Sequence, residues 1–190
     1  MRTITPDELK EILKKHQLWV RVAEGGEPAN LSDVYLQGFD LKGAYLKDAY
    51  LRGTNLRAAN LAGTNLEFAN LTGASLESAN LAGADLRDAN LAGANLEFAN
   101  LTGASLESAN LEGSDLRAAD LAGASLESAN FAGADLRAAD LTGANFERAN
   151  LEGADLTGAN LSWANLHNAN LTGAVFDNTR GLPSYKETEQ

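Results

Sequence analysis

From Leu31 to Phe176 every fifth residue is Leu or Phe, thirty positions without a break, and 27 of them are Leu. Two residues before each of these stands Ala in 25 of the thirty units, the exceptions being Val34, Phe39, Thr54, Thr64 and Ser114. Asn or Asp fills most of the positions between them, as in Ala79-Asn80-Leu81 and Ala134-Asp135-Leu136. A strict short period held this long marks an array in which one small unit stacks on itself, and it decides the fold before any other signal is read. It also narrows the kind of function to look for, because a stacked array offers faces and edges more readily than a pocket.

Neither standard period fits. A helix needs apolar residues at i, i+3, i+4 and i+7, and a continuous strand needs strict alternation. Ala and Leu lie two apart, so on an extended backbone both point to one side. Each unit therefore reads as three extended residues and a corner. Gly43, Gly53 and onward to Gly153 form twelve consecutive glycines at spacing ten; Trp163 interrupts the run and Gly173 resumes it. A type II turn needs positive φ at its third residue, where Gly costs least. The corners in between carry Ala58, Phe68, Ser78, Asp88 and Phe98, which suit that conformation poorly. The sequence thus predicts two corner geometries in alternation, with an even number of sides stacking like corners on like.

The tandem A-(D/N)-L-X-X motif, as in Ala89-Asn90-Leu91-Ala92-Gly93, resembles the pentapeptide-repeat proteins, over roughly residues 29–178. The resemblance implies an all-β solenoid, a right-handed quadrilateral β-helix with four pentapeptides per coil. Thirty units would then make 30/4, about 7.5 coils, a rod of roughly 36 Å at about 4.8 Å per coil. It also implies that the Leu and the Ala two before it point inward. Each buried Leu contributes about 1.5–3 kcal/mol against water, before ordering entropy is subtracted.

The expected organisation is an N-terminal helix and cap over 1–28, the repeat array over 29–178 and a polar tail over 179–190. No apolar run reaches the length of a membrane span, and the N-terminus lacks the apolar core of a signal peptide, so a cytoplasmic protein is expected. The absence of Cys excludes thiol chemistry. The net charge is −11. Residues 1–30 balance, with five basic and five acidic side chains; residues 31–100 sum to −3, residues 101–180 to −7 and the last ten to −1. The second half of the array is the acidic one, a sign that disfavours direct binding to nucleic acid or to an anionic membrane.

Thr5-Pro6-Asp7-Glu8 forms a helix start, with a Thr N-cap, Pro at the first helical position and Glu three residues after the cap. Leu9, Ile12, Leu13 and His16 then share one helical face. An amphipathic helix over 6–18 is predicted, followed by Trp19-Val20-Arg21-Val22 and a break at Gly25-Gly26; capping of the first coil is the role favoured, over a membrane-surface or partner helix, for which it is short and its basic face modest. Val34, Phe39, Tyr35, Tyr45 and Tyr50 depart from the repeat where that helix must pack. No second amphipathic helix follows Phe176, so the C-terminal edge is expected to be open, and the protein to be a monomer or a dimer through that edge.

No catalytic, cofactor-binding or metal-binding residues are identified. His16 and His167 lie at opposite ends of the chain, no His–carboxylate pair is spaced to activate a Ser, and no phosphate loop or paired His ligands occur. The Asn and Asp before each Leu read as side chains that hydrogen-bond local backbone at the turns. Sorted by every fourth unit, one face carries Arg57, Glu77, Glu97, Arg117 and Arg137 after Leu, and the opposite face Lys47, Glu67, Arg87, Glu107, Glu127 and Glu147. The remaining two read as small and smooth. Consecutive Glu107, Glu127 and Glu147 form a candidate uncompensated acidic strip for a basic partner. Phe68, Phe98 and Trp163, at outward corners, complete the candidate interaction surface. Residues 66–80 and 96–110 are identical, which places Phe68 and Phe98 on opposite sides of the rod.

The reading is a non-catalytic structural or interaction protein, a rigid acidic rod for a protein partner. Two alternatives stand beside it. The resemblance includes proteins that imitate duplex DNA and bind DNA gyrase, so a DNA-mimic inhibitor or protector of gyrase or another topoisomerase is one. A consensus-like or engineered array without an evolved partner is the other.

Overall fold

Parallel backbone pairing joins residue i to residue i+20 throughout: Asn30 to Tyr50, Tyr35 to Asn55, and so on to Asn160 and Arg180. The computed structural model describes residues 1–182. Twenty residues are four pentapeptides, so each coil has four sides and like units stack on like, the Gly corners forming two columns on one diagonal and the mostly non-Gly corners two on the other.

One unit shows why the backbone closes this way. Ala89 N–H donates across the corner to Leu86 O at 3.0 Å, Asn90 N–H to Ala69 O of the coil below at 2.9 Å, Leu91 N–H to Asn110 O of the coil above at 2.7 Å, and Gly93 N–H to Glu112 O above at 2.9 Å. The fifth donor, Ala92 N–H, goes to Asn90 Oδ1 at 3.1 Å. Every N–H of the unit is placed, which is what a buried backbone requires. The Asn or Asp before Leu is therefore structural, as the sequence indicates, and the same bond recurs from Asn30 to Asn170.

The predicted alternation of corner geometries is not what forms. Every corner has positive φ, with Ala58 at 52°, Phe68 at 58° and Ser128 at 59°, beside Gly93 at 63°. Each also closes with the same corner bond, as in Ala59 N–H to Leu56 O at 3.0 Å. The left-handed conformation costs an L-residue about 1–2 kcal/mol. The stack imposes it nonetheless, because the corner N–H must meet the next coil: Phe68 N–H donates to Arg87 O and Ala58 N–H to Glu77 O.

Inside, the Leu positions from Leu31 to Leu161 are buried, together with the inward Ala residues from Ala49 to Ala159. Phe131 and Phe146 take Leu positions on neighbouring sides and pack with centroids 5.6 Å apart. The inward hydroxyls of Thr54, Thr64 and Ser114 are buried and donate to the carbonyls of Leu31, Leu41 and Leu111, which removes the cost of an unpaired polar group.

The N-terminus covers the first coil. Strand β1 (Arg2–Thr3) pairs in parallel with β2 (Val34–Tyr35), and helix α1 (Pro6–Val20) follows. Thr5 Oγ1 accepts from Glu8 N–H at 3.2 Å, and Glu8 Oε2 accepts from Thr5 N–H at 2.6 Å, the capping box read from the sequence. These bonds hold the Glu8 carboxyl below its ordinary value. The helix runs two residues beyond its expected end, taking in Trp19 and Val20, and closes through Val22 N–H to Trp19 O and Ala23 N–H to Leu18 O. Leu9 and His16 are buried against the coil, and Ile12, Leu13 and Phe39 pack partly against it. At the other end Leu171, Ala174 and Phe176 are only partly buried, and residues 183–190 of the expected tail lie outside the described residues. Among the described residues no helix is long and apolar enough to cross a membrane.

Candidate interaction surface

Because every inward position is Leu, Ala or a near substitute, all charge sits at the residue before Leu and at the two residues after it. Stacking at twenty residues turns these positions into columns whose successive members lie about 4.8 Å apart. On one face Arg57 Nη2 reaches Glu77 at 2.8 Å and Arg117 Nη2 reaches Glu97 at 3.1 Å. In the next column inward stand Asp115, Asp135 and Asp155, paired coil over coil. Arg117 forks onto Asp115 through Nε at 2.9 Å and Nη2 at 2.7 Å, and Arg137 forks onto Asp135 at 2.8 and 2.6 Å. Each guanidinium also reaches one coil up, Arg117 to Asp135 at 3.7 Å and Arg137 to Asp155 at 3.8 Å. The fork lowers the Asp115 carboxyl below its ordinary range, and the Thr157 hydroxyl and backbone do the same for Asp155. This aspartate column was not picked out from the sequence, because only the residues after Leu were sorted by face.

The opposite face starts with Lys47 on Glu67 at 2.9 Å, and Arg87 forks onto Asp85 and reaches Glu67 at 4.0 Å. Above it Glu107, Glu127 and Glu147 do fall in one column, but the strip is not uncompensated. Arg148, at the adjoining corner, reaches Glu127 at 3.1 Å and Glu147 at 3.4 Å. Glu107 alone keeps its charge unpaired, and its Oε2 is screened from solvent without a hydrogen-bond partner. Arg148 escaped the sequence reading because it occupies a corner position. The face with Thr72, Ala92 and Ala132 also carries Arg52, Glu112 and Glu152, so it is less smooth than expected. On the face with Ala82 and Ala122, Asp120 and Asp140 stack. Among the described residues of the second half Glu107, Glu112, Asp120, Asp140, Glu152 and Asp177 have no cation within 4.0 Å, so its residual acidity spreads over all four faces.

Two of the four sides also carry hydrogen-bonded amide columns. Asn110, Asn130, Asn150 and Asn170 each donate through Nδ2 to the Asn one coil below, at 3.4, 3.1, 3.0 and 2.9 Å. Asn60 and Asn80 begin a shorter column on Asp40. The side-chain amides thus extend the inter-coil ladder outward.

The three aromatic candidates do not meet. Phe68 and Phe98 occupy opposite corners, half exposed at 48% and 58%, and Trp163, on a third, is 91% exposed. Phe68 lies under the Lys47 ammonium, 5.0 Å from its ring centre, a contact that ties it to its own corner. Among the described residues no group of His, Cys, Asp and Glu is arranged to hold a metal ion. The concave regions gather around α1, including a groove with Leu9, Leu13 and Phe39 on its floor and Lys10 and Lys14 at its rim.

A four-sided parallel solenoid whose five-residue unit places inward Ala and Leu, a turn-bonding Asn and a positive-φ corner is a pentapeptide-repeat architecture. The profile described as pentapeptide repeats matches in eight copies, across residues 29–67, 69–107, 79–117, 104–143, 119–158 and 144–180, and the chain belongs to that family. Among solved structures it is similar to HetL, a pentapeptide repeat protein involved in heterocyst differentiation regulation from the cyanobacterium Nostoc sp. strain PCC 7120. That pair is 41% identical over 81% of this chain and 73% of the other, with a TM-score of 0.46. A pentapeptide repeat protein from the Arabidopsis thaliana thylakoid lumen is 36% identical over 53% of this chain and 67% of its own, with a TM-score of 0.43. QnrB1, a plasmid-mediated fluoroquinolone resistance protein, is 19% identical over 77% and 88%, with a TM-score of 0.46. Comparison with curated proteins returns no match.

Proposed function

We propose that this chain is a non-catalytic rod whose acidic second half binds a basic protein partner. The observation that carries the reading is the internal closure of the backbone together with the distribution of charge. In units such as 89–93, where Asn or Asp precedes Leu, all five N–H groups are used inside the rod, so recognition along their sides falls to side chains. Residues 101–180 sum to −7 against −3 for residues 31–100, and Glu107, Glu112, Asp120, Asp140 and Glu152 are among the carboxylates of that half without a cationic neighbour. Membership of a family of repeat proteins supports an interaction role rather than a reaction.

The test neutralises this charge without touching the turns. In the variant Glu112→Gln, Asp120→Asn, Asp140→Asn, Glu152→Gln, the Asn side chains keep the oxygen that accepts Ala122 and Thr142 N–H. Crosslinking capture by the native rod should yield a partner that is released by salt and missed by the variant. Equal capture by both would remove the acidic half from the reading, and no capture would remove the interaction role.

Imitation of duplex DNA toward gyrase is the second reading, favoured by the net charge of −11 and by acidity on more than one face. Inhibition of gyrase supercoiling at micromolar rod, lost in Glu107→Lys/Glu127→Lys/Glu147→Lys, would put it first. No inhibition at tens of micromolar would exclude it.

A further inference from the structure

In every unit after the first, the inward Ala or its replacement donates its N–H to the Leu or Phe carbonyl of the preceding corner, as Val34 does to Leu31 and Ala49 to Leu46. Ala29 opens the array and has no preceding corner. Its N–H donates instead to Nδ1 of His16, at 3.1 Å in a buried bond. A helix side chain thus stands in for a missing turn carbonyl, and it is what joins α1 to the first residue of the repeat.

The bond needs a neutral ring. With Nδ1 accepting, the proton sits on Nε2, which is buried and has no partner. The ring is fully shielded from solvent, stacked on Trp19 with centroids 5.6 Å apart and 6.5 Å from the Tyr45 ring. The ionisable groups of the first coil beside it are Tyr45, Lys47 and Asp48. On α1 and the linker they are Lys15, paired with Glu27 at 3.1 Å, and beyond them Arg21 and Glu24 on the turn after the helix. Asp48 and the Lys47 carbonyl favour a charged ring, but burial outweighs them and holds the imidazole below its ordinary value.

We propose that His16 is the latch of a pH-sensitive cap: a proton on Nδ1 sets two donors against each other, and α1 leaves the first coil and opens the N-terminal end of the rod. Detachment exposes the ring to water and leaves Leu31, Val34, Leu36 and Phe39 without their cover. The sign follows from proton linkage. The docked state binds the proton less well than the free helix, so docking is complete above the free value of about 6.5 and weakens as pH falls below it, by up to about tenfold per pH unit.

The test is amide hydrogen exchange of the full chain from about pH 8 to about pH 5, corrected for intrinsic rates, with Trp19 fluorescence read in a Trp163→Phe background. Protection of α1 and of Ala29 should fall up to about tenfold per unit below about pH 6.5, while amides around Leu91 keep theirs. His16→Gln supplies an acceptor oxygen that does not titrate here, and its profile should be flat. Constant protection of α1 in the native chain, or an equal fall in His16→Gln, overturns the proposal. Should His16→Gln leave α1 unprotected even at the upper pH, the His16 ring is titrated by NMR in the native chain. A docked ring that titrates at or above about 6.5 overturns the latch, and one that titrates lower together with loss of α1 protection supports it.

Discussion

Exchanging Ala118 for Gly should stabilise the rod, and exchanging Gly113 for Ala should weaken it by a similar amount. Both residues sit at corners with positive φ, 53° for Ala118 and 60° for Gly113. Both donate to the coil above at 2.9 Å, to Arg137 and Ala132. A Cβ added at Gly113 meets no heavy atom within 4 Å, so the cost is conformational alone. An L-residue in this region costs about 1–2 kcal/mol. Glycine removes that cost but gives the unfolded chain about 0.5–1 kcal/mol more entropy to lose. The difference is about 0.5–1 kcal/mol, favourable for Ala118→Gly and unfavourable for Gly113→Ala. In a chain of 190 residues a change of about 1 kcal/mol moves the midpoint by about 2–4 °C. Scanning calorimetry at two scan rates, checked by urea midpoints, resolves such a shift. If Ala118→Gly lowered the midpoint as Gly113→Ala does, the corners would not be equivalent and the single-geometry account would fail.

Leu121→Asp should abolish the cooperative unfolding of the coils around it. The side chain is fully buried, and an unpaired carboxylate there costs several kcal/mol; hydrogen exchange should show the loss strongest next to residue 121, since a solenoid couples neighbours. Asn130→Ala removes the bond to Ala132 N–H and two amide bonds in the column. Partly exposed bonds of this kind are worth about 1 kcal/mol each, so a urea series should show a loss of about 1–3 kcal/mol, most of it from the unpaired backbone donor. The Asp115 carboxyl is lowered in the folded state by Arg117, so its contribution is present above about pH 4 and lost as pH falls through the folded value. Asp115→Asn should flatten that acid limb of the midpoint-against-pH curve, and an unchanged limb would refute the assignment.

The coil, its inward columns and the helix start were legible because each rests on short-range rules: a strict period, a two-residue spacing and the Thr5-Pro6-Glu8 cap. The uniform corners were not. Propensity at Phe68 or Ala58 argues against positive φ, and only the bonds to Arg87 and Glu77 one coil away impose it. Arg148 was missed for a related reason, since a corner residue reaches a column that a sort by face leaves out. His16 looked like one more apolar-face residue of the helix. The available signal was the orphan donor of Ala29, the one inward position without a corner before it.

The coil length also decides which side of the rod a duplicated segment faces. Residues 66–80 recur unchanged as residues 96–110, a step of 30 residues against a coil of 20, or 30/20 = 1.5 coils. A duplication of twenty or forty residues would have repeated its surface on the same side. This one turns the copy to the far side, so one fifteen-residue sequence faces two opposite directions among different neighbours, Glu67 meeting Lys47 and Glu97 meeting Arg117. Shifting one copy by two pentapeptides would bring both segments to the same side.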